Sequence, residues 1–147
     1  MPYHPAKVES LAILLAEDDE SIRSVLTELL QLSGHTVVST KDGEDALAAL
    51  RRESIDLVIT DILMPRKDGL EFIEEVRRLQ PLLPIVAISG GGGRIEGRYC
   101  LATAKSFGAT VAIPKPFTPE EILSAIDEAW IKGNAAVRKR AAIPPAD

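Results

Sequence analysis

Glu17, Asp18, Asp19, Asp61, Ser89 and Lys115 stand at or just beyond the ends of short apolar runs, and they carry the side chains best suited to chemistry. Ionised carboxylates are expensive to take out of water. Asp61, directly after Leu57-Val58-Ile59-Thr60, is therefore either a solvated strand-end residue or one whose charge has a partner such as a metal. Carboxylates gathered at one place repel one another and raise each other's pKa unless a cation intervenes, and hard oxygen ligands suit Mg²⁺. Lys115 offers a mobile point charge and Ser89 a hydroxyl donor, both suited to phosphoryl oxygens. Brought together, these groups describe a phosphoryl-transfer centre with Asp61 as the attacking nucleophile.

The elements that must bring them together are legible in the hydrophobic pattern. The runs LAILLA (11–16), TVVS (36–39), DLVIT (56–60), PIVAIS (84–89) and TVAI (110–113) are too short and too continuous for helices, and read as strands buried on both faces. Helical spacing lies between them. Ile22, Val25, Leu26, Leu29 and Leu30 mark a first helix that stops at Ser33-Gly34, while Asp42-Gly43 and Asp68-Gly69 open a second and a third, both ending in arginines. A fourth covers about 97–107 before Gly108, and a fifth starts at Thr118 with Glu121 at the capping-box position and runs through Ile126 to Trp130. Repeated strand–helix alternation implies a parallel sheet with helices on both faces, whose functional crevice lies at the carboxyl ends of the strands.

A chain of 147 residues is one domain's worth. No apolar stretch approaches the roughly 18 residues needed to cross a bilayer. The start MPYHPAKVES lacks the pattern of a secretory signal, and the lone Cys100 forms no internal disulfide, so a cytoplasmic location is expected. Seventeen basic against twenty-two acidic residues give a net charge of −5, without the positive field of a nucleic-acid binder. Residues 1–9 read as an N-terminal extension, 10–131 as the domain, and 132–147 as a disordered tail whose Arg138-Lys139-Arg140 cluster is solvated.

Five separated pieces, ILLAEDDESIR, DLVITDILMPRKDG, PIVAIS, FGAT and KPFTPEEI, resemble the receiver domain of two-component response regulators over about residues 10–131. That resemblance implies a flavodoxin-like (βα)5 doubly wound sheet of five parallel strands in the order 2-1-3-4-5. It implies that Asp61 accepts phosphate from a histidine kinase or histidine phosphotransfer protein. Asp18, Asp61, Glu17 and the backbone carbonyl of Leu63 would hold Mg²⁺, with Asp19 one residue beyond and available as a helix cap. Ser89 matches the switch hydroxyl and Lys115 the lysine that contacts the phosphoryl group, with a cis peptide at Lys115-Pro116. A stand-alone signalling protein rather than an enzyme follows, acting on an unknown downstream protein, with no nucleic-acid or membrane partner.

The chain departs from that family in places. Ala112 stands where an aromatic switch is usual, Pro114 stiffens the end of the fifth strand, and Ser89 to Lys115 is a few residues longer than usual, the excess falling in SGGGGRIEGR. Leu63 and Gly91 occupy the positions that would orient an attacking water, which predicts slow loss of phosphate. Leu63 also lacks the acid that aspartyl-phosphate hydrolases carry two residues after the nucleophile. GGRIEGR ends in Arg98-Tyr99 instead of the Lys-Ser/Thr of a phosphate-binding loop.

Overall fold

The computed structural model describes residues 10–64, 67–89 and 94–141. The apolar runs become β1 (Ala12–Ala16), β2 (Thr36–Thr40), β3 (Leu57–Asp61), β4 (Ile85–Ser89) and β5 (Val111–Pro114). All pair in parallel, in the order β2-β1-β3-β4-β5, the flavodoxin-like arrangement. The helices are α1 (Glu20–Leu32), α2 (Gly43–Arg52), α3 (Gly69–Leu79), α4 (Arg94–Phe107) and α5 (Pro119–Ala141).

Period-two alternation along the strands feeds two cores. Ile13, Leu15, Leu57, Ile59, Val86 and Ile88 meet Leu26 and Leu30 of α1 and Ile122, Ile126 and Ala129 of α5. Leu14, Val58, Ile85 and Ala87 meet Ala46 and Leu50 of α2, Phe72 and Val76 of α3, and Ala104 of α4. The two inner faces are dry because every crossover lays a helix on the sheet.

Local signals fix where the helices start. Asp19, Asp42 and Asp68 cap α1, α2 and α3, accepting from the backbone N–H groups of Ile22 (3.0 Å), Asp45 (2.8 Å) and Glu71 (2.9 Å). At α5 the Glu121 N–H donates to Thr118 Oγ1 (3.1 Å) and the Thr118 N–H to Glu121 Oε1 (3.3 Å), a reciprocal capping box.

Three expectations need correction. Burial on both faces holds for β1, β3 and β4 but not for β2 and β5, which are only partly buried because an edge strand has a neighbour on one side alone. Helix α4 begins at Arg94, three residues before the expected 97. Helix α5 continues to Ala141, so residues 132–141, Arg138-Lys139-Arg140 included, are helical where a disordered tail was expected. Gly133 lacks a periodic side chain yet is buried, seated so close to Pro84 that an added Cβ would lie 2.6 Å from its ring, and the Ala, Lys and Arg that follow are strong helix formers. The extension 1–9, the glycine run 90–93 and residues 142–147 lie outside the described residues.

Candidate functional site

Parallel strands deliver their carboxyl ends to one edge, and every singled-out residue sits there. Glu17 follows β1, Asp61 closes β3, Ser89 closes β4 and Lys115 follows β5. Glu17, Asp61 and Ser89 are 1%, 4% and 2% exposed, whereas Asp18 is open to solvent. One carboxylate oxygen each from Glu17, Asp18 and Asp61 lies within 4.8 Å of the others, a spacing that can hold a metal ion. The donor set fits a hard divalent cation, since all three side-chain ligands are oxygens and one carboxylate remains hydrated.

The ammonium of Lys115 bridges the two buried acids, 2.7 Å from Glu17 Oε1 and 2.9 Å from Asp61 Oδ2. Sheet pairing places it there: the Lys115 N–H donates to the Ser89 carbonyl at 2.8 Å, and Asp61 lies opposite Ile88, one residue before Ser89. The Lys115–Pro116 peptide is cis. Asp61 is oriented further by the Leu63 N–H, which donates to Oδ1 at 3.3 Å, while Arg23 of α1 donates to the Glu17 carbonyl at 2.9 Å.

Burial pushes the Glu17 carboxyl up to about 7, with the neighbouring Asp61 charge adding to the rise and the Lys115 hydrogen bond opposing it. For Lys115, burial pulls the pKa down, but hydrogen bonds to Glu17 and Asp61 outweigh it and hold the ammonium above its usual value. The lysine therefore stays charged, and its charge is shared.

Asp19 points elsewhere: its carboxylate caps α1 and is not part of the acidic group. Leu63 is 59% exposed beside Asp61, Ala112 is partly buried against the α2–α4 core, and Gly91 lies outside the described residues. Sequence spacing did not reveal the apolar groove of about 590 Å³ next to the crevice, lined by Ile22 and Val25 of α1 and by Pro116 and Phe117. Val25, one of the residues that mark the first helix, stands exposed on that groove.

Fold and crevice together define a doubly wound α/β domain built around a strand-end aspartate, two further acids and a lysine. The family model described as response regulator receiver domain matches residues 13–127, and the chain belongs to that family. It is 35% identical over 114 residues to the transcriptional regulatory protein CpxR of Klebsiella pneumoniae, covering 78% of this chain and 47% of CpxR. The chain thus spans about half the length of such curated relatives. Among solved structures it resembles NtrX of Brucella abortus (TM-score 0.84, 27% identity, 94% of this chain and 31% of that one). It also resembles the chemotaxis response regulator CheY4 of Vibrio cholerae (TM-score 0.70, 30% identity, 82% and 99%). Receiver domains are phosphoacceptor signalling domains of two-component systems. Among the described residues no helix is long and apolar enough to cross a membrane.

Proposed function

We propose that Asp61 accepts a phosphoryl group from the phosphohistidine of a histidine kinase or histidine phosphotransfer protein, and that the phosphorylated domain signals by protein contact or by passing the group on. The observation that carries this reading is the ammonium of Lys115 shared between two buried carboxylates, 2.7 Å from Glu17 and 2.9 Å from Asp61. A buried strand-end acid without a task would carry a high desolvation cost. Here the acid is kept in place by a cation that can also serve a new anion.

In the transfer, an Asp61 carboxylate oxygen forms a bond to phosphorus as the N–P bond of the donor breaks, and the imidazole leaves with the electron pair. Lys115 swings from the carboxylates onto the phosphoryl oxygens, and Ser89, at the end of the next strand, donates its hydroxyl to another. Asp18, Asp61, Glu17 and the Leu63 carbonyl are the groups that would hold Mg²⁺, which supplies positive charge to the phosphoryl oxygens when bound. Exposed Leu63 cannot orient a water, so the acyl phosphate is lost slowly.

The groove between α1 and the Pro116–Phe117 turn is where the phosphodonor docks, and the face of α4, β5 and α5 is where output is read. We further propose a cytoplasmic, stand-alone regulator with no nucleic-acid or membrane partner. The mass of the polypeptide in its source cells tests that form. The decisive experiment on the site is labelling with acetyl phosphate in Mg²⁺. Wild type takes up one base-labile phosphate and Asp61→Asn none; labelling of the Asn variant at the wild-type level refutes the assignment.

A further inference from the structure

We infer that Lys67 and Glu75 are a positioning pair for the phosphoacceptor, an ion pair away from the crevice that fixes the loop on which Asp61 leans. The inference rests on Asp61 being the phosphorylated residue.

Between β3 and α3 the described residues are Ile62–Met64 and Lys67–Asp68, and the connection is closed tightly at its base. The Gly69 N–H donates to the Ile62 carbonyl at 2.7 Å, and a Cβ at Gly69 would fall on the carbonyl oxygen of Asp61 itself. Within that closed loop the Leu63 N–H holds Asp61 Oδ1 at 3.3 Å. The orientation of the carboxylate is therefore tied to where the loop sits.

Its far side is pinned at Lys67. The backbone and stem of Lys67 are seated on Gly43 in the first turn of α2, where an added Cβ would lie 2.5 Å from the Lys67 carbonyl oxygen and 2.9 Å from its Cβ and Cγ. The ammonium reaches across to α3, 2.6 Å from Glu75 Oε1, with the two side chains only 19% and 27% exposed. Glu75 Oε2 is buried with no hydrogen-bond partner among the described residues, so that carboxylate depends on Lys67. One lysine thus ties the loop to α2 through its stem and to α3 through its charge. Removing one member of a largely desolvated pair leaves the other uncompensated, whereas removing both does not.

That asymmetry separates a positioning role from a structural one. The test compares the full chain with Lys67→Ala, Glu75→Gln and the double variant Lys67→Ala/Glu75→Ala. Three quantities are read: urea unfolding, amide exchange at Leu63 and Gly69 without metal or phosphodonor, and the rate of labelling by acetyl phosphate in Mg²⁺. The double variant should unfold at a higher urea concentration than Lys67→Ala. It should nonetheless exchange faster at both amides and label about tenfold more slowly than wild type, because the carboxylate is no longer held in its attacking geometry. Glu75→Gln, which keeps shape and loses charge, should move exchange and labelling in the same direction. Wild-type exchange in both variants overturns the proposal, and so does faster exchange with an unaltered labelling rate. Wild-type labelling of Asp61→Asn would instead show that the phosphoacceptor lies elsewhere, and the exchange readout tests the pair independently of that.

Discussion

Adjacent acids of the same type do different work because consecutive side chains leave an extended backbone in different directions. Asp18 contributes an oxygen to the acidic group, while Asp19 gives its carboxylate to the Ile22 N–H at the start of α1. Asp18→Ala should therefore weaken Mg²⁺ binding more than Asp19→Ala, which should lower unfolding stability by about 1 kcal/mol through the lost cap. Calorimetric Mg²⁺ titration and urea unfolding check the two halves, and the reverse order of metal affinities refutes the division. His35 makes a second prediction. Its Nδ1 accepts the Leu11 N–H at 3.0 Å, which requires a neutral ring, and burial lowers its pKa from 6.5. A folded-state pKa below the unfolded value means that the unfolded chain binds the proton better. The contribution of His35 is thus fully present above pH 6.5 and is lost as pH falls from there towards the folded pKa. The raised Glu17 carboxyl takes up a proton in the same range and acts in the opposite direction, so the readout is a difference: from about pH 7.5 to pH 5.5 wild type should lose unfolding free energy relative to His35→Gln, which cannot titrate. Equal slopes would remove His35 from the account.

Helix starts were readable from sequence because a cap is a contact between residues three apart, as at Asp42 and Asp45 or Thr118 and Glu121. What joins elements distant in the chain was not readable. Arg77 looked like a charge favourable to the end of α3, yet it donates to the carbonyls of Gly108 (2.8 Å) and Leu83 (2.6 Å) and reaches Thr110 Oγ1 (3.3 Å). It therefore clasps the end of α3 to the approaches of β4 and β5. Its partners lie up to 33 residues away, and nothing in their types announces the contact. The site acids were legible for the opposite reason: an acid or a lysine closing an apolar run is conspicuous, and a parallel sheet brings all such ends together. Edge exposure of β2 and β5 depends on which neighbours cover them, and local pattern does not encode that. Arg77→Ala should destabilise the domain by about 2 kcal/mol, and Arg77→Lys should recover only part, since an ammonium cannot span the four acceptors, the Gln80 carbonyl among them, that the planar fork holds. Urea unfolding of the two variants measures both effects.

Taken as a whole, the molecule separates its tasks along the strand direction. The ties at the amino ends of the strands are structural: Arg77 before β4 and β5, His35 on Leu11 before β1, and Asp56 Oδ2 accepting the Ala12 N–H at 2.8 Å. The charged residues at the carboxyl ends form the crevice. Arg77→Lys should accordingly lower stability while the folded protein labels with acetyl phosphate at the wild-type rate, and a slowed rate would show that the two ends communicate. Lys115, finally, lies 98 residues beyond Glu17 and 54 beyond Asp61. During synthesis both acids leave the ribosome long before the ammonium that joins them. A polypeptide broken off ahead of residue 115 carries two neighbouring acids with no lysine to share, and their mutual repulsion opposes closure of that edge. The crevice is thus complete only in a chain that has been translated through its fifth strand.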